Sequence, residues 1–461
     1  MTSISSDRHV AVLPFPFTSH PNSVLALVRH LAVRAPNVIF SFYCFPESIE
    51  TLFAPDKKVP GNIKPYAVSD GVPEGYVFSG NPFEPVKLYL AAVEEGERLK
   101  DVLKAAEAEI GRRIGCVLSD AFMYFAGDLA EEMEVPWVPF RTGDGWSISA
   151  LFYADLIRES TVDIASWENE LVKFVPGFLK IRLRDLPREV LFGNLESPFT
   201  SILQKMGRAL PKATAVVVNS VEELDPEIYQ DLKSKFKMFL NVGPTASISS
   251  SSASLSPPPY SDEYGCIPWL DNHEAASVAY IAFGTVFSPP PLEIAALAEA
   301  LEATNTPFLW SLKDNSREFL PEGFEKRTTE LGKIVSWTPQ KQVLTHSSVG
   351  VFVTHCGWNS VLEGISAGVP LIGRPFVGDQ YLNTSMVQNV WRIGVKVEGG
   401  VLTKNGTMSA LGTVLSHEKG KEFREQVGKF KELILKAVGP EGSSTRNFNT
   451  LLEVVTGHDL M

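Results

Sequence analysis

The chain has 461 residues but few cysteines, and no two of them are spaced like a pair of metal ligands. The four cysteines, at positions 44, 116, 266 and 356, lie far apart, so we expect neither a structural zinc site nor a disulfide framework. No stretch reaches the roughly 18 uncharged apolar residues of a membrane-spanning helix, and the N-terminus lacks a secretory signal. The sequence therefore predicts a cytoplasmic protein with free thiols and no membrane insertion.

A basic excess is also missing. The 42 Lys and Arg residues stand against 54 Asp and Glu residues, which gives a formal net charge of −12. Because an acidic chain repels phosphate backbones, a general nucleic-acid binder is disfavoured. A local anion site stays open, since backbone amides and one histidine are enough to bind a diphosphate.

Several nucleotide motifs are absent. No G-x-G-x-x-G follows the first predicted strand, which argues against an NAD enzyme, and no phosphate-binding GK[ST] loop occurs. The chain also has no D-x-D motif, so a bridging metal is not required. One hydrolase-like pattern, G-x-S-x-G at residues 364–368, contains Ser366 as a possible nucleophile. A nucleophile elbow needs a strand before its glycine, whereas this glycine follows a predicted helix, so the hydrolase alternative is disfavoured.

Apolar runs alternate with helical patterns in two stretches of the chain. Nearly continuous apolar runs are typical of strands buried on both faces of a parallel sheet, and alternation with helices indicates a doubly wound α/β domain. The pattern predicts strands at 9–15, 38–45, 114–120 and 135–140, with helices at 22–35, 86–110 and 125–133. After a Ser/Pro-rich stretch it predicts strands at 278–283, 308–311, 333–337, 349–354 and 370–374, with helices at 291–303, 359–367 and 380–389.

These elements predict two α/β domains, residues 1–244 and 263–442. Residues 245–262 are the predicted linker, because Ser and Pro at that density rarely pack into a core. Residues 443–461 are expected to form a C-terminal helix that packs back on the first domain. Since ligands commonly bind between domains, a cleft between the two is the expected site.

The densest cluster of unusual residues lies at 337–380. A buried strand is predicted to end at His355, and Gly357 would let the backbone approach a ligand closely. Asn359 and Ser360 would then open a helix whose N-terminus attracts an anion, with His355 adding a hydrogen bond or a charge. Glu363, one turn later, could hold ribose hydroxyls. The alternative is an ordinary strand–turn–helix unit capped by Asn359 or Ser360.

This segment resembles the signature box of the plant family 1 UDP-sugar-dependent glycosyltransferases. Its matching residues are Trp337, Pro339, Gln340, His346, Phe352, the run THCGWNS at 354–360, Glu363, Gly368, Pro370, Pro375, Asp379 and Gln380. The runs HVAVL at 9–13, DGVPEGY at 70–76, FGT at 283–285 and SPPP at 288–291 are similar to the flavonoid 3-O-glycosyltransferases. The resemblance implies two facing Rossmann-like domains of GT-B type with an interdomain cleft, and a monomer.

The resemblance also implies how the UDP-sugar donor binds. Trp337 would stack on uracil, Thr338 and Gln340 would contact the base or ribose, and Glu363 would bind the ribose hydroxyls. The diphosphate would be held by His355, Asn359, Ser360 and Thr285. The sugar would be bound by Asp379, Gln380, Trp358 and, from the first domain, Thr142. In the family a Gln at position 380 usually accompanies glucose and a His often galactose, which predicts UDP-glucose as the donor.

Two residues near strand ends are candidates for catalysis. His20 follows the first predicted strand and Asp120 ends the third, and such ends open on the same edge of a parallel sheet. A lone loop histidine is more often structural, but this pair resembles the family's His–Asp dyad. The resemblance implies that His20 deprotonates an acceptor hydroxyl and that Asp120 fixes its tautomer. It further implies a single inverting displacement without cofactor or metal.

The acceptor pocket is expected to be lined by aromatic and apolar residues that could equally be core. The candidates are Phe15, Phe83, Phe122, Arg141, Trp146, Leu151 and Phe376. Arg141 and Trp146 depart from the flavonoid relatives, and Phe83 and Leu151 are candidates to replace polar acceptor contacts. The main prediction is sugar transfer to a flavonoid-like phenolic. Another phenolic acceptor, transfer to carbon, or a non-catalytic UDP-sugar-binding protein remain as alternatives.

Overall fold

The structure is a computed structural model, and it describes residues 8–17, 19–73, 75–77, 84–94, 97–160, 169–188, 197–245, 262–285 and 287–457. The chain divides into two compact units. The first comprises Met1–Arg158, Glu189–Ser256 and Ala437–Met461, and the second comprises Glu159–Arg188 and Pro257–Lys436.

The first unit is built on a parallel sheet of seven strands in the order β3-β2-β1-β4-β5-β6-β7. Strands β2 and β3 lie on one side of β1, and the chain then crosses back so that β4 lies on the other side. The strand order therefore reverses between β1 and β4, and α/β proteins commonly bind ligands at such a point. The strands are β1 (His9–Leu13), β2 (Ile39–Cys44), β3 (Ile63–Ala67), β4 (Ile114–Asp120), β5 (Trp137–Arg141), β6 (Val216–Val218) and β7 (Phe239–Asn241).

Helices cover this sheet and close its core. They are α1 (His20–Arg34), α2 (Pro46–Leu52), α3 (Glu84–Glu94), α4 (Glu97–Ile110), α5 (Ala126–Glu132), α6 (Gly145–Phe152), α7 (Ala154–Glu159), α8 (Pro198–Ala209), α9 (Pro226–Lys235) and α18 (Ser443–Thr456). Strand residues such as Val12 and Phe42 pack with Leu27 of α1 in a fully buried cluster. The apolar runs that predicted buried strands therefore form the central layer of the unit.

The second unit is built on a parallel sheet of six strands in the order β10-β9-β8-β11-β12-β13. The strands are β8 (Val278–Ala282), β9 (Phe308–Ser311), β10 (Gly332–Val335), β11 (Val349–Thr354), β12 (Leu371–Gly373) and β13 (Gly394–Lys396). The helices are α10 (Cys266–Leu270), α11 (Pro291–Thr304), α12 (Phe324–Arg327), α13 (Gln340–Thr345), α14 (Trp358–Ala367), α15 (Gln380–Ser385), α16 (Lys404–Leu415) and α17 (Lys419–Ala437). Its core joins Ile281, Trp310 and Val351 to Leu297 of α11.

The largest difference between the units and the predicted boundaries concerns residues 159–188, which group with the second unit although the sequence placed them in the first domain. Within this segment, the Asp185 carboxylate accepts a hydrogen bond from the Ser385 hydroxyl at 3.0 Å and lies 3.8 Å from the Lys396 ammonium. Most of the predicted linker, residues 246–261, lies outside the described residues.

The C-terminal helix α18 packs on the sheet of the first unit. Phe448, Leu451 and Val455 join that unit's buried cluster. Two polar bonds fix the helix at β7: the Ser444 hydroxyl donates to the Gly243 carbonyl at 2.7 Å, and the Asn447 amide donates to the Asn241 carbonyl at 3.0 Å.

The helix predicted at 86–110 coincides with two described helices, α3 and α4. Residues 95 and 96 between them lie outside the described residues. Within the described part of the chain, no helix combines the length and the apolar character needed to cross a membrane.

Candidate active site

In the first unit, His20 and Asp120 are brought together as predicted. His20 opens α1 and Asp120 ends β4, and the His20 Nδ1 lies 2.7 Å from the Asp120 Oδ2. The sequence placed His20 in a loop, but α1 begins at this residue, with Pro21 in its first turn, where proline is favoured. The Asp120 side chain is fully buried and that of His20 is 16% exposed.

The Asp120 carboxylate fixes the orientation of the imidazole. Its other oxygen accepts the backbone N–H of Phe122 at 2.9 Å, so the carboxylate is held at both oxygens. Because an ionised carboxylate only accepts hydrogen bonds, this contact places the proton of a neutral His20 ring on Nδ1, and Nε2 then has the lone pair. This tautomer has a free base at Nε2, which is what proton abstraction from a hydroxyl requires.

Two predicted acceptor residues, Phe15 and Phe122, lie beside His20, and a third, Arg141, packs on Phe122. The ring centroid of His20 lies 5.3 Å from that of Phe15 and 5.0 Å from that of Phe122. The Arg141 guanidinium lies over the Phe122 ring, 5.0 Å from its centroid. The structure therefore places Phe15 and Phe122 beside the candidate base and Arg141 on Phe122, in an apolar setting with one cation.

The other first-unit candidates are placed differently. Trp146 and Leu151 lie on α6, whose N-terminus is capped by the Asp144 carboxylate through the Ser147 N–H at 2.6 Å. Trp146 is only 1% exposed and Leu151 8%, so both are packed inside the unit. Thr142, which follows β5, is also buried. Phe83 lies outside the described residues.

In the second unit, β11 ends at Thr354 and α14 begins at Trp358, with His355 and Gly357 between them. The N-cap residue of α14 is Gly357, which has no side chain to cap the N–H groups of the first turn. A helix N-terminus of this kind attracts an anion. The structure thus has the strand–turn–helix unit that the sequence predicted.

Two glycines make room for the His355 ring. A Cβ on Gly284 would come within 2.9 Å of the ring, and a Cβ on Gly357 would overlap its Nε2. Burial lowers the pKa of His355 to about 4, so the ring is neutral near pH 7. Of the two roles expected for His355, this shift favours the hydrogen bond over the positive charge. Thr285, one residue after Gly284, is exposed.

The predicted nucleoside residues form one connected group. Trp337 is 40% exposed, so part of its ring is open to a stacking partner. Gln340 opens α13, and its amide nitrogen donates to the Glu363 Oε2 at 2.7 Å. Burial raises the pKa of the Glu363 carboxyl, and the bond from Gln340 acts in the opposite direction. Thr338 is buried, with its hydroxyl 2.7 Å from that of Tyr280.

Tyr280 was missed by the sequence reasoning. It lies on β8, and its hydroxyl donates to the Gln340 carbonyl oxygen at 2.9 Å. The available signal was a phenol in the otherwise aliphatic run VAYIA, since a buried hydroxyl needs a partner. Tyr280 is therefore an additional polar residue of the nucleoside end.

The predicted sugar residues lie where α15 begins. Asp379 precedes this helix and Gln380 opens it. The side-chain oxygen Oε1 of Gln380 accepts hydrogen bonds from the backbone N–H groups of Phe376 at 2.8 Å and Val377 at 3.2 Å. The residue type predicts that this amide offers both a donor and an acceptor to sugar hydroxyls. In the structure the acceptor is engaged by the backbone, so the amide nitrogen is the group left for a sugar.

Phe376, the predicted acceptor residue of the second unit, packs within that unit. Its ring lies 3.9 Å from the Arg374 guanidinium and stacks on Phe287 with centroids 6.2 Å apart. Arg374 in turn forms a buried ion pair with Glu293 of α11. These contacts give Phe376 a role in fixing the loop before Gln380.

Two alternative chemistries gain no support. Gly364 and Ser366 both lie inside α14, so the strand-to-helix turn of a nucleophile elbow is not present there. Among the described residues, no three or more His, Cys, Asp or Glu side chains are grouped so as to hold a metal ion.

Comparison with known proteins identifies the family of the chain. The profile of the family UDP-glucoronosyl and UDP-glucosyl transferase matches residues 263–431. The chain is 70% identical to an anthocyanidin 3-O-galactosyltransferase of Rhododendron delavayi, over 99% of each chain. It is 49% identical to an anthocyanidin 3-O-glucosyltransferase of Vitis vinifera, again over 99% of each. A crystal structure of UDP-glucose: anthocyanidin 3-O-glucosyltransferase in complex with UDP is 43% identical, with a TM-score of 0.92 over 98% of this chain and 99% of that one.

The fold and these similarities define the class: the chain is a UDP-dependent glycosyltransferase of GT-B fold, with two Rossmann-like α/β domains. Within that class, it belongs to the plant family 1 enzymes, in the group of the flavonoid 3-O-glycosyltransferases.

Proposed function

We propose that this protein transfers a hexose from a UDP-sugar to the 3-hydroxyl of an anthocyanidin or flavonol, with His20 as general base. The observation that carries the proposal is the 2.7 Å contact between His20 and Asp120, which leaves a basic nitrogen beside an aromatic cluster. A protein that only bound UDP-sugars would have no need of this pair. The acceptor class is supported by what the similar proteins are named for, namely anthocyanidins and flavonols.

The reaction is proposed as a single displacement at the anomeric carbon. Nε2 of His20 takes the proton of the acceptor hydroxyl, and Asp120 stabilises the imidazolium that forms. The oxygen attacks on the side opposite UDP, the bond to the diphosphate breaks, and the configuration inverts. The charge of the departing diphosphate is stabilised by the first N–H groups of α14 and by neutral His355 as a donor. No step requires a metal ion.

The proposed binding residues fall into two groups, one in each unit. In the second unit, we assign Trp337 to the base, Glu363 to the ribose, and Asp379 and Gln380 to the sugar. In the first, we assign Phe15 and Phe122, which lie beside His20, and Arg141, which packs on Phe122, to the acceptor. Trp146 and Leu151 remain acceptor candidates, and both are buried.

The donor sugar has two candidates. Glucose is the one that Gln380 predicts, and similar enzymes of Vitis and Actinidia are named as glucosyltransferases. Galactose is favoured by a different observation. Two anthocyanidin 3-O-galactosyltransferases of Rhododendron delavayi are 70% and 59% identical to this chain, and one of Actinidia chinensis is 58% identical.

The proposal is tested by product analysis. The purified chain is incubated with UDP-glucose or UDP-galactose and a panel of anthocyanidins, flavonols and unrelated phenols, and products are identified by mass spectrometry and NMR. A 3-O-hexoside of β configuration is the expected product. A C-linked product, or transfer to unrelated phenols alone, would overturn the acceptor assignment. Binding of UDP without any transfer would overturn the catalytic assignment.

A further inference from the structure

Tyr280 is buried in the second unit, yet its polar end contacts two residues of the donor segment. The side chain is fully inaccessible, and its ring stacks on Phe352 of β11 with centroids 5.0 Å apart. The hydroxyl lies 2.7 Å from the Thr338 hydroxyl and 2.9 Å from Oε1, the side-chain carbonyl oxygen of Gln340. A phenol held this firmly by stacking presents its hydroxyl in one place.

The hydrogen bonds run in one direction from Thr338 to Glu363. The ionised Glu363 carboxylate only accepts, so the Gln340 side chain turns its NH₂ group toward it, at 2.7 Å. The Gln340 carbonyl therefore faces Tyr280 and takes the single phenolic proton. Because that proton is used, the Thr338 hydroxyl must donate to the Tyr280 oxygen. The donor and the acceptor of each of these three hydrogen bonds are thereby assigned, and such connected bonds strengthen one another.

We propose that Tyr280, supported by Thr338, is a positioning residue for the nucleotide end of the site. It fixes the Gln340 amide so that Gln340 holds the Glu363 carboxylate in the orientation that binds the ribose hydroxyls. This inference rests on the proposed function, in which Glu363 is the ribose-binding residue. Tyr280 itself touches no substrate, and it acts through Gln340.

The physical reason is that an amide can turn over. Without the Tyr280 hydroxyl, Gln340 can rotate its carbonyl toward Glu363, which places oxygen against oxygen, or leave the carboxylate without a donor. A buried carboxylate that loses its donor becomes harder to ionise. The charged group that then favours ionisation of Glu363 is Lys341, while burial opposes it. The Tyr280 phenol is neutral in this pH range, because its own pKa is raised by burial.

The test compares two ligands that differ only at the ribose. Binding of UDP and of 2′,3′-dideoxy-UDP is measured by calorimetry at pH 7 for the unmutated protein, Tyr280→Phe and Glu363→Ala. The preference for UDP over the dideoxy ligand reports the ribose hydroxyls. We expect Tyr280→Phe to reduce that preference by about 3- to 10-fold, the effect typical of one lost hydrogen bond, with the dideoxy ligand bound as before. When the pH is lowered, the affinity of this variant for UDP is further expected to begin declining at a higher pH than the affinity of the unmutated protein.

Controls separate this role from a loss of folding. Tyr43→Phe removes an equally buried phenolic hydroxyl in the first unit and should leave both affinities unchanged. Thr338→Val removes the first donor of the hydrogen-bond series without changing the size of the side chain. We expect it to reduce the preference for UDP by a smaller factor. It also tests the proposal if Tyr280→Phe does not fold, as judged by thermal unfolding.

Two results would contradict the inference in distinguishable ways. If Glu363→Ala keeps the full preference for UDP, the ribose assignment in the proposed function is wrong and the inference falls with it. If Glu363→Ala abolishes the preference while Tyr280→Phe and Thr338→Val retain it, the positioning role alone is overturned. Equal weakening of both ligands by Tyr280→Phe would indicate a purely structural role and would also overturn it.

Discussion

The imidazole of His20 and the carboxylate of Asp120 are 100 residues apart in sequence and 2.7 Å apart in the fold. They meet because β1 and β4 are adjacent parallel strands, so the segment that leaves the end of β1 lies beside the end of β4. The second Asp120 oxygen is tied to the backbone at Phe122, which leaves the carboxylate one orientation toward His20. The tautomer of His20 is thus set by the sheet order itself.

Exchanging the carboxylate for an amide should remove this control. Asp120→Asn keeps the shape of the side chain but can donate to Nδ1, which stabilises the tautomer with no lone pair at Nε2. We expect turnover to fall by about 10²–10⁴-fold, as for loss of a general base, with UDP affinity unchanged. His20→Ala should fall by a similar factor. Steady-state kinetics and UDP titration measure both.

A matched control for that substitution is Asp128→Asn. Asp128 is 78% exposed and its partner Lys212 is 3.7 Å away on the surface, so its removal should leave turnover unaltered. Near-normal turnover of Asp120→Asn would remove the dyad from the mechanism.

The sequence predicted most strands from their apolar runs, and the strands that it missed are either exposed or short. β3 is largely exposed, and β6, β7 and β13 have three residues each, too few for a period to be read. Asp185 illustrates a second limit. Its contacts with Ser385 and Lys396 join residues about 200 positions apart, which local patterns cannot reveal.

The site was predicted in the same uneven way. The box at 337–380 and the pair His20–Asp120 follow from residue identities, because their chemistry depends on particular side chains. The choice between the two roles of His355 required the structure, since the burial that lowers its pKa cannot be read from the sequence. The same holds for Gln380, whose carbonyl is engaged by the backbone, and for Tyr280, whose partners come from 58 and 60 residues along the chain.

Gly357→Ala tests the packing of the His355 ring. The backbone at Gly357 has φ −60° and ψ 143°, which any residue can adopt, so the only conflict is between the added Cβ and the ring. Overpacking of this kind costs about 1–3 kcal/mol, and we expect UDP affinity to fall by roughly 5- to 150-fold as the ring or the helix start shifts.

Gly412→Ala is the matched control for this change. A Cβ there meets nothing within 4 Å in α16, so the variant should bind UDP normally and gain about 0.5–1 kcal/mol in stability. Unchanged UDP affinity in Gly357→Ala would show that the ring position is not important for binding.

The stability of the fold should depend on His355 in mildly acidic solution. Its pKa is about 4 when folded, against 6.5 for an unperturbed histidine, so the unfolded chain binds the proton first as pH falls. The folded state is therefore destabilised progressively between about pH 6.5 and pH 4, by at most about 3 kcal/mol because the ring keeps some exposure.

Chemical unfolding at several pH values measures this effect. Burial also lowers the pKa of His9 and His30, so only the difference between the unmutated protein and His355→Asn isolates His355. The variant should lose less stability on acidification. Equal loss in both proteins would show that His355 is not buried as a neutral ring.

Transfer should not depend on a divalent metal ion. The proposed stabilisation of the diphosphate comes from the N–H groups of α14 and from His355, and these need no bridging cation. Activity in excess EDTA is expected to equal that with added Mg²⁺. A loss of activity in EDTA that Mg²⁺ restores would contradict the proposed role of the helix N-terminus.

Gln380 should act on both the loop and the sugar, and two variants separate these roles. Gln380→Glu keeps the oxygen that accepts the Phe376 and Val377 N–H groups but replaces the amide nitrogen by a second oxygen. We expect Gln380→Glu to retain stability and UDP affinity while losing turnover. Gln380→Ala should lose turnover and, in addition, stability and UDP affinity. An equal effect of the two variants on UDP affinity would contradict this division.

The donor preference of the unmutated protein decides between glucose and galactose. The two sugars differ only in the direction of the C4 hydroxyl, and a misplaced partner leaves a buried polar group unpaired at a cost of about 1–3 kcal/mol. That cost corresponds to a preference of roughly 5- to 150-fold in kcat/KM, which we expect in favour of UDP-glucose because position 380 is a Gln. A preference of similar size for UDP-galactose would assign the other hexose, in line with the Rhododendron enzymes, and would show that residues other than Gln380 direct the C4 hydroxyl.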